Sequence, residues 1–485
     1  MADHDYDIGI LGGGAAGLTV AAGCAQLGGR TLVVEKEPVL GGDCLHHGCV
    51  PSKTLIRSAH VYHLMRRAGE FGLPTVDVPP VDFCKVRHRI REVIAAIAEH
   101  DSVERFCSLG AEVRFGQARF LDEYTVDLDG TRVSAKAWVL ATGSSPAAPT
   151  LPGLDGVPYL TNLDLFSLEE LPGSLVILGG GAMACEMAQA FARLGSRVEV
   201  VQRSPQVLSR EDPDMASLVQ DALAAEGVAF HLGATVTGVR AQGAAKAVDI
   251  ALGDGGTRTV TGAALLVAMG RVPNTSGLGL DAAGVRLEGR AIAVDERLRS
   301  SQRHIFAAGD VLGRHLFTHA AGYEGSVVVT NAMFKLPRKA DYTWMPRCTY
   351  VSPELACVGR TEASARAAGL DPEVLTEDFA SNDRALAEGE TRGRIKVVLS
   401  KGKPVGVAIF GPHAGELLSE WVAVVNGGVK LTTLAGAVHP YPTLAEINKR
   451  VVGTHLGRKI FSDRVKKTLG FFFNYKGNAC TLDDD

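Results

Sequence analysis

The chain of 485 residues carries a formal net charge of −4 and is 46% apolar, which allows two or three domains with cores of their own. That charge gives no electrostatic case for nucleic acid as a partner. No run reaches the roughly 18 apolar residues of a membrane-spanning helix. The acidic start Met1-Ala2-Asp3-His4-Asp5 is unlike a signal peptide, so a cytoplasmic location is expected.

Residues 6 to 11, Tyr-Asp-Ile-Gly-Ile-Leu, read as a short strand that runs into Gly12-Gly13-Gly14-Ala15-Ala16-Gly17 and a helix, with a second strand, Thr31-Leu32-Val33-Val34, ending on Glu35. This is a dinucleotide fingerprint in its proper context. Gly12 suits the tight turn, Gly14 close approach of a pyrophosphate, Gly17 packing of helix on strand, and Glu35 a ribose hydroxyl. Next come Gly41-Gly42-Asp43-Cys44-Leu45-His46-His47-Gly48-Cys49 and then Val50-Pro51-Ser52-Lys53. In a regular helix residues five apart lie on different faces, whereas a disulfide needs Cα atoms within roughly 4.4–6.8 Å. The backbone therefore bends between Cys44 and Cys49, which Gly41, Gly42 and Gly48 permit. Pro51 suits a first helical turn and puts Cys49 at a helix N-terminus, where the dipole lowers a thiol pKa. His46 and His47 read either as ordinary turn residues or as groups that raise thiolate content or offer nitrogen to a soft metal.

A second strand, glycine turn and helix follow at Leu175-Val176-Ile177-Leu178-Gly179-Gly180-Gly181-Ala182, leading to the strand Val198-Glu199-Val200-Val201. Two such folds imply two nucleotide cofactors. The second strand ends on Gln202-Arg203, without the acid that would bond a free ribose 2′-hydroxyl. Arg203, helped by Arg210, suits a 2′-phosphate, so NADPH is expected ahead of NADH.

With these motifs the chain resembles class I pyridine nucleotide-disulfide oxidoreductases, the family of dihydrolipoamide dehydrogenase, glutathione reductase and mercuric reductase, over residues 5 to about 465. Further family marks stand in order: Ala141-Thr142-Gly143, Met269-Gly270-Arg271-Val272-Pro273-Asn274, and Ala307-Ala308-Gly309-Asp310. The resemblance implies an α/β fold with two Rossmann-like domains, for FAD and NAD(P), and a C-terminal α+β dimerisation domain. The boundaries are 1–150 for the first FAD segment, 151–269 for the NAD(P) domain and 270–343 for the second FAD segment. Residues 344–468 would form the dimerisation domain and 469–485 a tail. The same resemblance assigns Gly42, Thr142, Gly143, Gly179, Gly181, Gly270 and Asp310 to cofactor binding, and pairs Lys53 with Glu186 near the flavin. It implies a redox-active Cys44–Cys49 disulfide, with Cys49 beside the flavin and Cys44 facing the acceptor. It also implies a homodimer whose active sites are shared between subunits.

The acceptor end departs from the best-known relatives. Where the lipoamide and glutathione enzymes place a His before Pro with a Glu five residues on, this chain has Tyr441 and Glu446, with His439 two residues upstream. A phenol near pKa 10 is a poor base beside an imidazole near 6.5. His439 is read as a packed residue or as a displaced substitute. Tyr441 is similar to mercuric reductases, yet no N-terminal metal-binding domain and no vicinal cysteine pair accompany it, only Cys480. Three readings stand: a reductase of a small acceptor (metal ion, quinone or small disulfide), a dihydrolipoamide dehydrogenase, and a redox-sensing or partner-binding flavoprotein. No resident metal is expected, and Cys24, Cys84, Cys107, Cys185, Cys348 and Cys357 are expected to be small buried residues. The basic, aromatic end, from Arg458-Lys459 to Phe471-Phe472-Phe473-Asn474-Tyr475, suits either weak docking on a membrane or partner, or the dimer's own surface.

Overall fold

The computed structural model describes residues 4–475, so Cys480 lies outside the described residues. The chain forms two compact units. One holds the residues up to Arg210 together with Gln220–Tyr342; the other holds Glu211–Val219 and the chain from Thr343 onward.

In the first unit the short apolar runs Ile8–Leu11, Thr31–Glu35, Trp138–Leu140 and Ile305–Ala307 are buried along their whole length. Strands buried on both faces suit a parallel sheet covered on each side. They form one with Ala111–Phe115, in the order Ile305–Ala307, Trp138–Leu140, Ile8–Leu11, Thr31–Glu35, Ala111–Phe115. The helix Ala15–Gln26 lies close on this sheet because Gly17 has no side chain: a Cβ there would sit 1.9 Å from the Gly12 carbonyl oxygen and 3.2 Å from Ile10 Cγ2.

The second nucleotide fold repeats the plan in the parallel order Ala229–Leu232, Arg197–Gln202, Ser174–Leu178, Ala264–Val267. The chain leaves the first fold along Ser144–Pro146 and returns along Arg271–Pro273, and these two segments pair as an antiparallel ribbon.

In the second unit five antiparallel strands run in the order Arg347–Thr349, Glu354–Gly359, Lys403–Gly411, Arg394–Ser400, Pro372–Asp378. The helices Ala414–Gly427 and Glu446–Ile460 share a core with them built around Trp421, Ile409 and Val451. Glu211–Val219, which the sequence reading put in the nicotinamide domain, belongs to this unit through its acids. Arg347 grips Glu211 with two bonds of 2.6 Å. Lys396, only 3% exposed, lies 3.3 Å from Asp212, 2.9 Å from Asp214 and 3.0 Å from Glu362.

Three of the six cysteines expected to be buried are not: Cys84 and Cys107 are exposed and Cys348 is half-buried, whereas Cys24, Cys185 and Cys357 are buried. Each exposed cysteine lies on a helix whose buried face is supplied by a neighbour, Phe83 and Ile90 in one case and Phe106 in the other. The end of the chain forms the helix Asp463–Phe473, none of whose residues is buried. Phe471, Phe472, Phe473 and Tyr475 are exposed there beside Arg464, Lys466 and Lys467. No described helix is long and apolar enough to cross a membrane.

Gly17→Ala tests the close packing of helix on strand. The added carbon overpacks the turn at Gly12, and a loss of about 1–3 kcal/mol is expected, read as a fall in melting temperature with reduced flavin retention.

Candidate active site

Gly48 separates the helices Gly42–His46 and Cys49–Arg66. A Cβ on Gly48 would meet Asp43 O at 3.0 Å and Cys44 Cα at 3.1 Å, so a glycine there lets the second helix start close against the first. Pro51 lies in the opening turn, where its missing N–H costs no helical hydrogen bond. Cys49 is the first helical residue, as the spacing predicts, and the dipole of an 18-residue helix favours its thiolate.

The two cysteines are unbridged in this structure. Cys49 is exposed, and the neighbouring Cys44 thiol is the largest influence drawing it down to about 6. The Thr318 hydroxyl, 3.4 Å from Cys49 Sγ, and the positive charge of Lys53 add to the lowering. Cys44 is pushed far above the ordinary thiol value by its neighbour Cys49 and by burial. Near neutral pH the pair is therefore a thiolate at Cys49 and a thiol at Cys44.

Lys53 reaches across to the second nucleotide fold, its Nζ 2.8 Å from Oε2 of Glu186 on the helix Ala182–Leu194. Glu186 is buried, not a solvated helix face. His46 Nε2 bonds the Leu40 carbonyl at 2.8 Å. Among the described residues no group of three or more His, Cys, Asp or Glu side chains is placed to hold a metal ion.

Asp310 accepts a hydrogen bond of 2.6 Å from the Ser144 hydroxyl, and Arg271 Nε lies 3.7 Å away. Burial raises its pKa, and those two groups work against the rise. The turn before it is held by Glu324, 1% exposed, which accepts the Gly309 N–H at 2.6 Å and the Tyr342 hydroxyl at 2.7 Å.

The helices Ala15–Gln26 and Ala182–Leu194 both start at a glycine, Gly14 and Gly181, with no side chain capping them. Their first amides are thus left for an anion. The two turns match: a Cβ on Gly12 would lie 2.3 Å from Ala141 O, and one on Gly179 2.3 Å from Ala268 O. Gly42 crosses so near Gly14 that its Cβ would be 2.8 Å from Gly14 Cα. Glu35 Oε2 accepts the Gly13 N–H at 2.7 Å and Oε1 accepts the Glu37 N–H at 2.9 Å, so the carboxylate shapes the turn and keeps lone pairs for a hydroxyl. In the second fold the corresponding side chain over Gly180 is Gln202, and Arg203 and Arg210 are exposed beyond it.

The Thr142 hydroxyl donates to Asn274 O at 2.7 Å, and Asn274 returns a bond of 2.9 Å to Thr142 O. Gly143 O takes the Asn274 N–H, and Gly270 O takes the Ala147 N–H, each at 3.0 Å.

In the second unit Tyr441 is 72% exposed and donates to Asp383 Oδ2 at 3.0 Å, a bond that raises its pKa. Glu446 accepts the Thr443 N–H at 3.3 Å. His439 is packed against Glu420, with Nε2 at 2.9 Å and Nδ1 buried without a partner.

The sequence reading missed Thr318, Ser144, Glu324, Asn162 and any role for Arg271. Ser144 follows Gly143 directly and Arg271 lies inside a quoted motif; the others become visible only where separate segments meet.

Residues 6–325 match the model of the pyridine nucleotide-disulphide oxidoreductases, and residues 345–452 match the dimerisation domain of the same proteins. The chain belongs to the pyridine nucleotide-disulphide oxidoreductase family. A mercuric reductase of Streptomyces lividans is 35% identical over 94% of this chain and 97% of its own. A dihydrolipoyl dehydrogenase of Bacillus subtilis is 35% identical over 91% and 96%. Among solved structures, the Cu(II) complex of the HOCl-induced flavoprotein disulfide reductase RclA from Escherichia coli superposes with a TM-score of 0.83. It is 27% identical and covers 94% of this chain and 100% of its own.

As a family member the protein is an oxidoreductase that uses FAD and NAD(P)H, and it carries the homodimer-forming domain. The residues fit FAD: uncapped amides after Gly14, the Gly42 crossing, Glu35 for a ribose hydroxyl and Asp310 for a polyol chain. When bound, FAD supplies the relay of two electrons between nicotinamide and dithiol.

In the reduced holoenzyme a long-wavelength absorption band from the Cys49 thiolate is expected at pH 7, fading as the pH falls through about 6 while Cys49 takes up its proton. Cys49→Ser removes the band and Cys44→Ser keeps it; a band retained in Cys49→Ser overturns the assignment of the two sulfurs.

Proposed function

We propose that this enzyme draws electrons from NADPH and delivers them through Cys44 and Cys49 to a small acceptor that needs no imidazole base: a soft metal ion, a quinone or a small disulfide. The observation that carries the reading is Tyr441, an exposed phenol bonded to Asp383 and raised in pKa, at the position where a proton-transfer histidine would stand. Two electrons and a proton break the Cys44–Cys49 bond, leaving thiolate at Cys49 and thiol at Cys44. Passing two electrons to the acceptor re-forms the bond and releases the Cys44 proton. The mercuric reductase relatives and the copper complex of the Escherichia coli protein favour a metal ion among these acceptors. The active site is read as shared, with Tyr441 supplied by the partner subunit. A dihydrolipoyl dehydrogenase activity is the second reading, favoured by relatives of equal identity.

The nucleotide preference rests on Gln202, which is neutral where Glu35 is acidic, and on exposed Arg203. Losing a charge-assisted bond of about 1.5–3 kcal/mol in Arg203→Ala should lower kcat/KM for NADPH about tenfold or more and leave that for NADH nearly unchanged. Equal efficiency with both nucleotides, unmoved by the substitution, rules the preference out.

Steady-state turnover with Hg(II), Cu(II), a benzoquinone, glutathione disulfide and lipoamide sorts the acceptors. Lipoamide and glutathione disulfide are expected to be slow, and Tyr441→His should raise thiol-disulfide turnover without changing flavin reduction. Rapid wild-type oxidation of dihydrolipoamide with NAD would replace this reading with the second.

A further inference from the structure

Asn162 is buried, 7% exposed, yet uses both ends of its amide. Its Nδ2 donates to Asp43 Oδ1 at 3.0 Å and to His47 O at 3.1 Å, and Arg271 Nη1 lies 3.4 Å from its Oδ1. Asp43 immediately precedes Cys44, and His47 immediately precedes Gly48-Cys49. One side chain thus bonds the residue before Cys44 and the residue two before Cys49.

The side chain is itself held in place. Thr161 and Asp164 form a capping box at the start of the helix Asn162–Leu165. Leu160 pairs with the second nucleotide sheet, donating to Leu265 O at 2.7 Å and accepting from Val267 N at 2.9 Å. Arg271 Nη2 completes the arrangement 3.1 Å from Asp43 Oδ2, while its Nε donates to the Ser144 hydroxyl at 2.7 Å and Ser144 in turn bonds Asp310.

We infer that Asn162 is a positioning residue for the dithiol: a clamp, anchored on the nicotinamide sheet, that fixes the helical turn Asp43–His47 and so keeps Cys44 in place beside Cys49. The inference rests on reading Cys44 and Cys49 as the redox pair. An unclamped turn lets Cys44 move away from Cys49 and so removes the principal influence that favours the Cys49 thiolate. The groups facing Cys49 are Cys44, Thr318, Lys53 and Glu186, none of which Asn162 touches directly; the clamp acts through the turn alone.

The test uses the full-length, FAD-containing protein, reduced anaerobically. Alkylation of Cys49 by iodoacetamide is followed against pH by mass spectrometry of the Cys49 peptide, a readout that needs no acceptor turnover. Asn162→Ala should move the half-reaction pH upward by about one unit or more, as lost hydrogen bonds to an anion shift its pKa. Asn162→Asp, which sets a second carboxylate against Asp43, should move it further, and Asn162→Ser, which keeps one donor, should move it less. If Asn162→Ala loses flavin, the graded comparison of Asn162→Ser with wild type carries the test. Wild-type profiles in all flavin-retaining variants would overturn the clamp. Failure of the dithiol reading is separate: it would show as Cys49→Ser keeping full acceptor turnover.

Discussion

The pairing of Cys44 with Cys49 lowers one thiol and raises the other, so that one proton is divided unequally between two sulfurs, and the rest of the site is arranged around that division. Cys49 takes the charge because it opens a helix and faces Thr318 and Lys53; Cys44 keeps the proton because the neighbouring Cys49 and burial disfavour its ionisation. The supporting groups come from different parts of the first unit: Lys53 from the cysteine helix and Thr318 from the helix Thr318–Met333, while Glu186 on the helix Ala182–Leu194 holds Lys53 and its own charge opposes the thiolate. A redox pair of this kind is a product of tertiary structure, although its two cysteines are neighbours in sequence.

Glu35 and Gln202 show how one architecture serves two ligands. Both side chains end the second strand of a nucleotide fold, and both cover the middle glycine of the turn, Gly13 or Gly180. Glu35 bonds the turn it covers, so the anion is built into the fold as well as offered to a ribose. Gln202 covers its glycine without a charge, which removes the repulsion that a carboxylate would direct at a 2′-phosphate.

Much of the first unit was legible because glycine spacing and short apolar strands carry strong local constraints. Gly12, Gly17 and Gly179 fall where backbone meets backbone, and Cys49 falls at its helix start. The residues that escaped notice share one property: their partners are distant in sequence. Asn162 bonds groups more than a hundred positions away, Thr318 reaches back to Cys49, and Glu324 accepts from Gly309 only because a turn brings it there. The Thr142 hydroxyl is likewise joined to a distant residue, Asn274, which its motif does not announce. Cys84 and Cys107 were placed inside by residue type, and helix facing put them outside.

The ion cluster at Lys396 limits how this chain can be divided. A fragment beginning at Thr343 would contain all five strands of the second unit, yet it would lack Glu211, Asp212 and Asp214. Arg347 would lose both of its bonds, and Lys396 would keep only Glu362 as a carboxylate partner while staying buried. A buried cation stripped of most of its partners is strongly destabilising, so the dimerisation unit is not a transplantable module. Its folding information is written in two separate stretches of the gene, and one of them lies within the nicotinamide-binding half.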